Sequence, residues 1–181
     1  MKEIRIHGRG GQGCVTASEI LAVAAFLDGQ NSQAFPSFGS ERKGAPIQAF
    51  ARISDKKIRT RAQILHPDFL IIQDPTLIGV VDLLFGLKED GLVIVNTAKK
   101  PEELGLKTKA KVITVPALEI AVEEIGRPIP NTVMIGAFAG ATGLIKIESV
   151  EKAVKERFPG ELGEKNAKAC RKAYNAAKEA K

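Results

Sequence analysis

Gly8, Gly10 and Gly13 stand at the spacing GxGxxG, within the run Gly8-Arg9-Gly10-Gly11-Gln12-Gly13. The chemistry such a run suits is the close approach of an anion or of a neighbouring backbone. Glycines reach positive φ without strain and carry no β-carbon to hold a phosphate at a distance. Arg9 adds a full positive charge, and Gln12 adds one donor group and one acceptor. Cys14 follows directly. A thiol in the first turn of a helix can have a lowered pKa, but only His7 lies near it in sequence, and the plainer reading is a small buried residue. A second cluster occupies Phe35-Pro36-Ser37-Phe38-Gly39-Ser40-Glu41-Arg42-Lys43-Gly44-Ala45-Pro46. There Ser40, Arg42 and Lys43 sit between two glycines. Arginine grips a phosphate through two parallel N–H groups, and lysine attracts it as a point charge. Glu41 can pair with either cation or with Arg9.

These residues need elements to place them. Ile4 and Ile6 alternate with Arg5 and His7, which predicts a strand before the glycines. Val15 to Leu27 carries apolar residues at helical spacing after them. Ser32 to Phe35 predicts a second short strand, so the basic loop starts near the carboxyl end of that strand, where α/β sheets bind ligands. Ile47 to Ile53 alternates, then Ser54-Asp55-Lys56-Lys57 makes a turn, and Ile58 to Arg61 completes a predicted β-hairpin. Phe69–Ile72, Leu92–Val95 and Val112–Val115 are continuous apolar runs, as buried parallel strands require. They end at Gln73-Asp74-Pro75-Thr76, at Asn96-Thr97 and at Pro116. Helices are predicted over Thr76–Phe85, Ala117–Ile125, Asn131–Leu144 with Asn131 as N-cap, Glu148–Arg157 and Glu164–Lys178. The glycines and alanines of the third of these call for close packing against another element. No repeat, low-complexity tract or linker divides the 181 residues. The expectation is a single α/β domain over 1–181. It has three layers, a mostly parallel sheet, a Rossmann-like first βαβ unit and an inserted β-hairpin.

A strand, GxGxxG and a helix in that order is the context of the dinucleotide fingerprint. That fingerprint also requires an Asp or Glu at the end of the second strand for the ribose hydroxyls. The second strand here reads Asn31-Ser32-Gln33-Ala34-Phe35, without a carboxylate, and this counts against NAD. A tight turn with no ligand and a phosphate-bearing ligand other than NAD both remain open.

Composition narrows the classes. The chain is 44% hydrophobic with a net charge of +6, and residues 146–181 carry ten lysines and arginines against six glutamates. That basic end reads as a solvated helix face, or as a docking face for an acidic partner. One Tyr, no Trp and no basic stripe interleaved with aromatics argue against nucleic acid. No apolar run approaches the ~20 residues of a membrane span. Two cysteines, Cys14 and Cys170, cannot supply the about four ligands of an iron–sulfur cluster. The N-terminus reads as a strand rather than a signal peptide, and a cytoplasmic location is expected.

Four segments taken together, the glycine run, the Phe35–Pro46 loop, Asp68–Asp74 and Asn131–Leu144, are similar in order and spacing to the gamma subunit of 2-oxoacid:ferredoxin oxidoreductases, and most to the pyruvate type. The resemblance covers nearly the whole chain. It implies a chain that carries no catalytic residue and no metal of its own and acts in a complex with alpha, beta and delta subunits. Thiamine diphosphate, Mg and 4Fe-4S clusters then belong to those partners. The complex turns pyruvate and coenzyme A into acetyl-CoA and CO2 and passes the electrons to ferredoxin. The gamma chain is implied on the coenzyme A side, with Gly8, Arg9, Gly10, Gly11, Gln12, Gly13, Ser40, Arg42 and Lys43 as candidate contacts. A branched-chain 2-oxoacid (2-oxoisovalerate) enzyme and a stand-alone nucleotide-binding protein are the alternatives.

Overall fold

The computed structural model describes residues 1–37 and 43–180; Ser40, Glu41 and Arg42 of the basic loop lie outside the described residues. Among the described residues, six strands form one sheet: β1 (Lys2–Arg9), β2 (Asn31–Pro36), β3 (Pro46–Ser54), β4 (Phe69–Ile72), β5 (Leu92–Asn96) and β6 (Lys111–Val115). Their spatial order is β2-β3-β1-β4-β5-β6. β1, β4, β5 and β6 are parallel neighbours, and β3 runs antiparallel to both β1 and β2. The α/β class and the mostly parallel sheet are therefore as the sequence implies.

Alternation along the strands sorts the two faces. Ile4 and Ile6 of β1, Ala49, Ala51 and Ile53 of β3, Ile71, Ile94 and Ile113 point to one face. Against it pack α1 (Cys14–Leu27), α2 (Ala117–Ile125), α3 (Asn131–Thr142), α4 (Ile147–Arg157) and α5 (Glu161–Glu179). α3 lies between the sheet and α5 and is buried along almost its whole length. A β-carbon on Gly136 would overlap the backbone of Cys170, and one on Gly140 the backbone of Tyr174. The small residues of α3 thus let two helix backbones touch. Leu70, Ile72, Val93 and Val95 point to the other face.

That second face is covered differently from expectation. Residues 76–85 form no α-helix. Asp74 starts one 3-10 turn, Pro75–Leu77, and the chain then runs irregularly through Gly79 at φ +81°. Leu77 and Leu83 still bury their side chains on the sheet, with Ile78, Val81, Leu84 and Leu87 beside them. The apolar spacing is real, but it serves a strap instead of a helix. The predicted hairpin is corrected as well. β3 pairs with β2 before it and β1 after it in space, so both its hydrogen-bonding edges are taken and none is left for 58–61. The inserted hairpin is β2–β3, and it places β3 inside the first βαβ unit. Asn131 is the first helical residue of α3 instead of its N-cap, which is Pro130.

On the strap side the sheet holds two buried cationic side chains. Arg5 donates from Nη2 to the carbonyls of Leu83 (3.1 Å) and Phe85 (2.6 Å) and from Nε to His7 Nε2 (3.0 Å). Burial first, and then Arg5 beside it, push the His7 pKa down to about 3. Arg52, 2% exposed, donates to Glu3, Gln33 and the Ala62 carbonyl. These bonds tie the irregular chain to the sheet.

Candidate functional site

After β1 the chain leaves toward β2, and after β4 it leaves toward β5. The carboxyl ends of β1 and β4 are therefore the point where connections diverge, the crevice in which doubly wound sheets take ligands. The glycine run lies on one side of this crevice and Gln73–Thr76 on the other.

The glycines admit parts of the protein itself. Gly8 sits in β1 where a β-carbon would overlap the Cys14 sulfur. Gly10 donates its N–H to the Ala45 carbonyl (2.9 Å), and its own carbonyl accepts from Gly44 N–H (3.0 Å), so the end of the basic loop is strapped to the turn. This brings Lys43 beside Gly10 and Gly11 as an exposed cation. Gly13 caps α1 in the left-handed region at φ +74°, where a β-carbon would also overlap the Asn131 amide. The first turns of α1 and α3 thereby touch.

Arg9 and Gln12 face across the crevice. Gln12 Oε1 accepts from Arg9 N–H (2.7 Å), and Gln12 Nε2 donates to Asp74 Oδ2 (2.7 Å). Arg9 Nε is 3.2 Å from Asp74 Oδ2, Nη2 donates to Thr76 Oγ1 (2.9 Å) and Nη1 to the Gly44 carbonyl (3.1 Å). Asp74 Oδ1 accepts from the Thr76 hydroxyl and N–H. Burial alone would raise the Asp74 pKa. The bonds from Thr76 and Gln12, with Arg9 nearby, outweigh it and hold the carboxyl below its usual range. The guanidinium that reads as a phosphate cation in the sequence is engaged by the protein's own oxygens.

Below this layer, Gln73 is 2% exposed and links three strands. Its N–H reaches the His7 carbonyl (2.8 Å), its carbonyl accepts from Asn96 Nδ2 (2.9 Å), and its Oε1 accepts from Cys14 Sγ (3.1 Å). Asn96 Oδ1 in turn accepts from Leu118 N–H at the start of α2 (2.9 Å). Sequence reasoning notes Gln73, Asp74 and Asn96 only as strand ends. The signal available was a polar residue directly after each apolar run.

Among the described residues, two clefts open beside the crevice. One, about 330 Å³, lies over the ends of β4 and β5 with Thr76, Thr97 and Lys99 on its walls. The other, about 240 Å³, lies between the first turn of α1 (Gly13, Thr16), the α2–α3 connection (Arg127, Ile129) and the α4–α5 corner (Arg157, Phe158). The structure thus brings Gly11 and Gly13 of the predicted site to a cleft with Arg127 and Arg157, which the sequence reading missed. Among the described residues no helix is long and apolar enough to cross a membrane.

Comparison with known proteins adds to this geometry. Residues 3–176 match the family described as pyruvate ferredoxin/flavodoxin oxidoreductase. The chain is 58% identical over 175 residues to the pyruvate synthase subunit PorC of Methanocaldococcus jannaschii, covering 97% of this chain and 96% of that one. It is 58% identical over 177 residues to the pyruvate/ketoisovalerate oxidoreductases common subunit gamma of Pyrococcus abyssi, covering 96% of each. The crystal structure of the pyruvate oxidoreductase subunit PORC of Thermotoga maritima superposes with a TM-score of 0.85 at 41% identity, over 97% of this chain and 96% of that one.

Proposed function

The chain belongs to the pyruvate ferredoxin/flavodoxin oxidoreductase family, as a gamma subunit of a 2-oxoacid:ferredoxin oxidoreductase, and we propose that it serves a pyruvate synthase and contributes part of the coenzyme A site. One observation carries this reading over a stand-alone nucleotide-binding protein. Gln12 and Asp74 meet at 2.7 Å across the crevice in which a doubly wound sheet would lay a dinucleotide. A chain whose own crevice is bridged in this way suits a supporting half-site, completed by other subunits.

In this reading alpha, beta and delta subunits surround the chain and ferredoxin takes the electrons. Thiamine diphosphate, in the partners with Mg and the 4Fe-4S clusters, supplies the carbon chemistry of decarboxylation. This chain's residues bind and orient. Gly8, Gly10, Gly11 and Gly13 shape the turn, and Arg9 and Gln12 hold it against Asp74 and Thr76. Ser40, Arg42 and Lys43 supply polar and positive groups to the phosphates of coenzyme A, with Lys43 fixed beside Gly10 by the backbone bonds of Gly44 and Ala45. The isolated chain is inactive. The work is done away from membranes and nucleic acid, in the cytoplasm.

The test is kinetic. In the assembled complex, Arg42→Ala with Lys43→Ala raises KM for coenzyme A about tenfold or more and leaves kcat in place, since a hydrogen bond to a charged group contributes about 1.5–3 kcal/mol. An unchanged KM in an intact complex overturns the assignment of the loop. A second reading has specific support: the Pyrococcus abyssi relative is named as common to pyruvate and ketoisovalerate enzymes. Reconstitution of this chain with pyruvate-type and 2-oxoisovalerate-type partners separates a dedicated gamma chain from a shared one.

A further inference from the structure

We propose that Arg127 and Arg157 hold phosphate groups of coenzyme A in the 240 Å³ cleft between the first turn of α1, the α2–α3 connection and the α4–α5 corner. The proposal rests on the coenzyme A reading above and adds to it a place and two residues.

Four of the eight described arginines are engaged by the protein's own oxygens. Arg9, Arg52 and Arg171 each face a carboxylate, and Arg5 is bound to two carbonyls. Arg127 and Arg157 make no ion pair among the described residues, yet both line one concave space. They arrive there from different directions. α2 ends at Gly126 in the left-handed region, φ +78°, and the reversal brings Arg127 to the cleft. Arg157 closes α4, and its guanidinium lies 5.4 Å from the centre of the Phe158 ring, a contact that holds it at the rim.

The remaining wall discriminates among anions. Ile125, Ile129, Phe158 and Leu162 make it largely apolar. An inorganic anion meets only the two guanidinium groups there, whereas a phosphate carried on an organic body also covers the apolar wall. The space is smaller than the about 300–1,000 Å³ of a site that encloses a drug-sized ligand. It suits one end of coenzyme A, with the remainder running out over the glycine turn toward Lys43. Gly13 and Thr16, at the start of α1, form one wall of the cleft and turn the positive end of the helix dipole toward it.

The experiment uses the assembled complex, with KM for coenzyme A, kcat and inhibition by inorganic pyrophosphate measured for Arg127→Gln, Arg157→Gln and the Arg42→Ala, Lys43→Ala chain. The expected result is a rise of about tenfold or more in KM for each glutamine variant, an unchanged kcat, and weaker competition by pyrophosphate. If the loop variant raises KM and neither glutamine variant does, the cleft assignment falls and the coenzyme A reading stands. If none of the three raises KM, both fall. Glutamine keeps much of the side-chain length, so a glutamine chain that folds and fails to assemble assigns the cleft to a subunit interface and overturns the proposal.

Discussion

Arg9 Nε stands 3.2 Å from Asp74 Oδ2, across the gap between the carboxyl ends of two adjacent parallel strands. The Asp74 side chain is 10% exposed and the Arg9 side chain 28%. The more buried partner also accepts from Gln12 and Thr76, so it is the hub of the arrangement. Asp74→Ala leaves three donors without an acceptor, and a loss of about 2–3 kcal/mol is expected. Arg9→Ala removes the solvated partner and costs under about 1 kcal/mol. Urea unfolding of the two variants checks the order. An equal or larger effect at Arg9 would place the hub on the wrong residue.

A pH dependence follows from His7. Its pKa falls to about 3 in the folded chain, against about 6.5 when unfolded. Below pH 6.5 the unfolded chain binds the proton and the folded chain does not, so stability is lost as the pH falls from 6.5 toward 3. The loss amounts to something on the order of 4 kcal/mol. Asp68 and Asp74, both held below the usual carboxylate range, extend it below about pH 4. His7→Gln keeps an acceptor for Arg5 and removes the titration. Its unfolding midpoint is expected to stay level between pH 6.5 and 4 while the parent chain declines.

The α3–α5 contact sets a steric limit. Gly136→Ala and Gly140→Ala each put a methyl group into the backbone of α5, at Cys170 and at Tyr174. Neither neighbour is a flexible side-chain end. Each substitution is expected to cost about 1–3 kcal/mol or more, despite alanine's better helix propensity. An alanine variant as stable as the parent would show that the two helices separate freely.

Cys170 is fully buried, and burial first, then Glu151, push its thiol up to about 12. A thiol in that state supplies almost no thiolate at neutral pH. Alkylation of Cys170 in the native chain is expected to proceed at the rate of unfolding, and to become fast in denaturant. Mass spectrometry of iodoacetamide-treated protein, native and unfolded, measures this directly. Fast native labelling would contradict the packing of α5 on α3.

Much of the scaffold was legible because it is coded locally. The alternation of Ile4 and Ile6 with Arg5 and His7 reports a strand with two different faces, and both pairs lie where that alternation puts them. Three apolar runs became β4, β5 and β6, and Ala117–Ile125 became α2 with the same bounds. The same code misread 76–85, since helical spacing of leucines does not distinguish a helix from a strap pinned by Asp74 and broken at Gly79. It also misassigned the partner of β3, because alternation reports which face is buried and carries nothing about which strand lies alongside.

The sequence by itself determined the glycine turn between strand and helix, the α/β class and, through the turn and the Phe35–Pro46 loop together, the family. Each is written in residues near one another in the chain, where backbone preference and period act directly. Only the tertiary structure decided what those residues meet. Arg9 could be read as a free cation until Asp74 and Thr76 were placed across from it, and Arg127 and Arg157 were ordinary surface charges until three helix ends converged on one cleft. Such contacts join positions tens of residues apart. Whether a charge is free or engaged depends on which groups the fold brings within about 4 Å, and no local pattern records that.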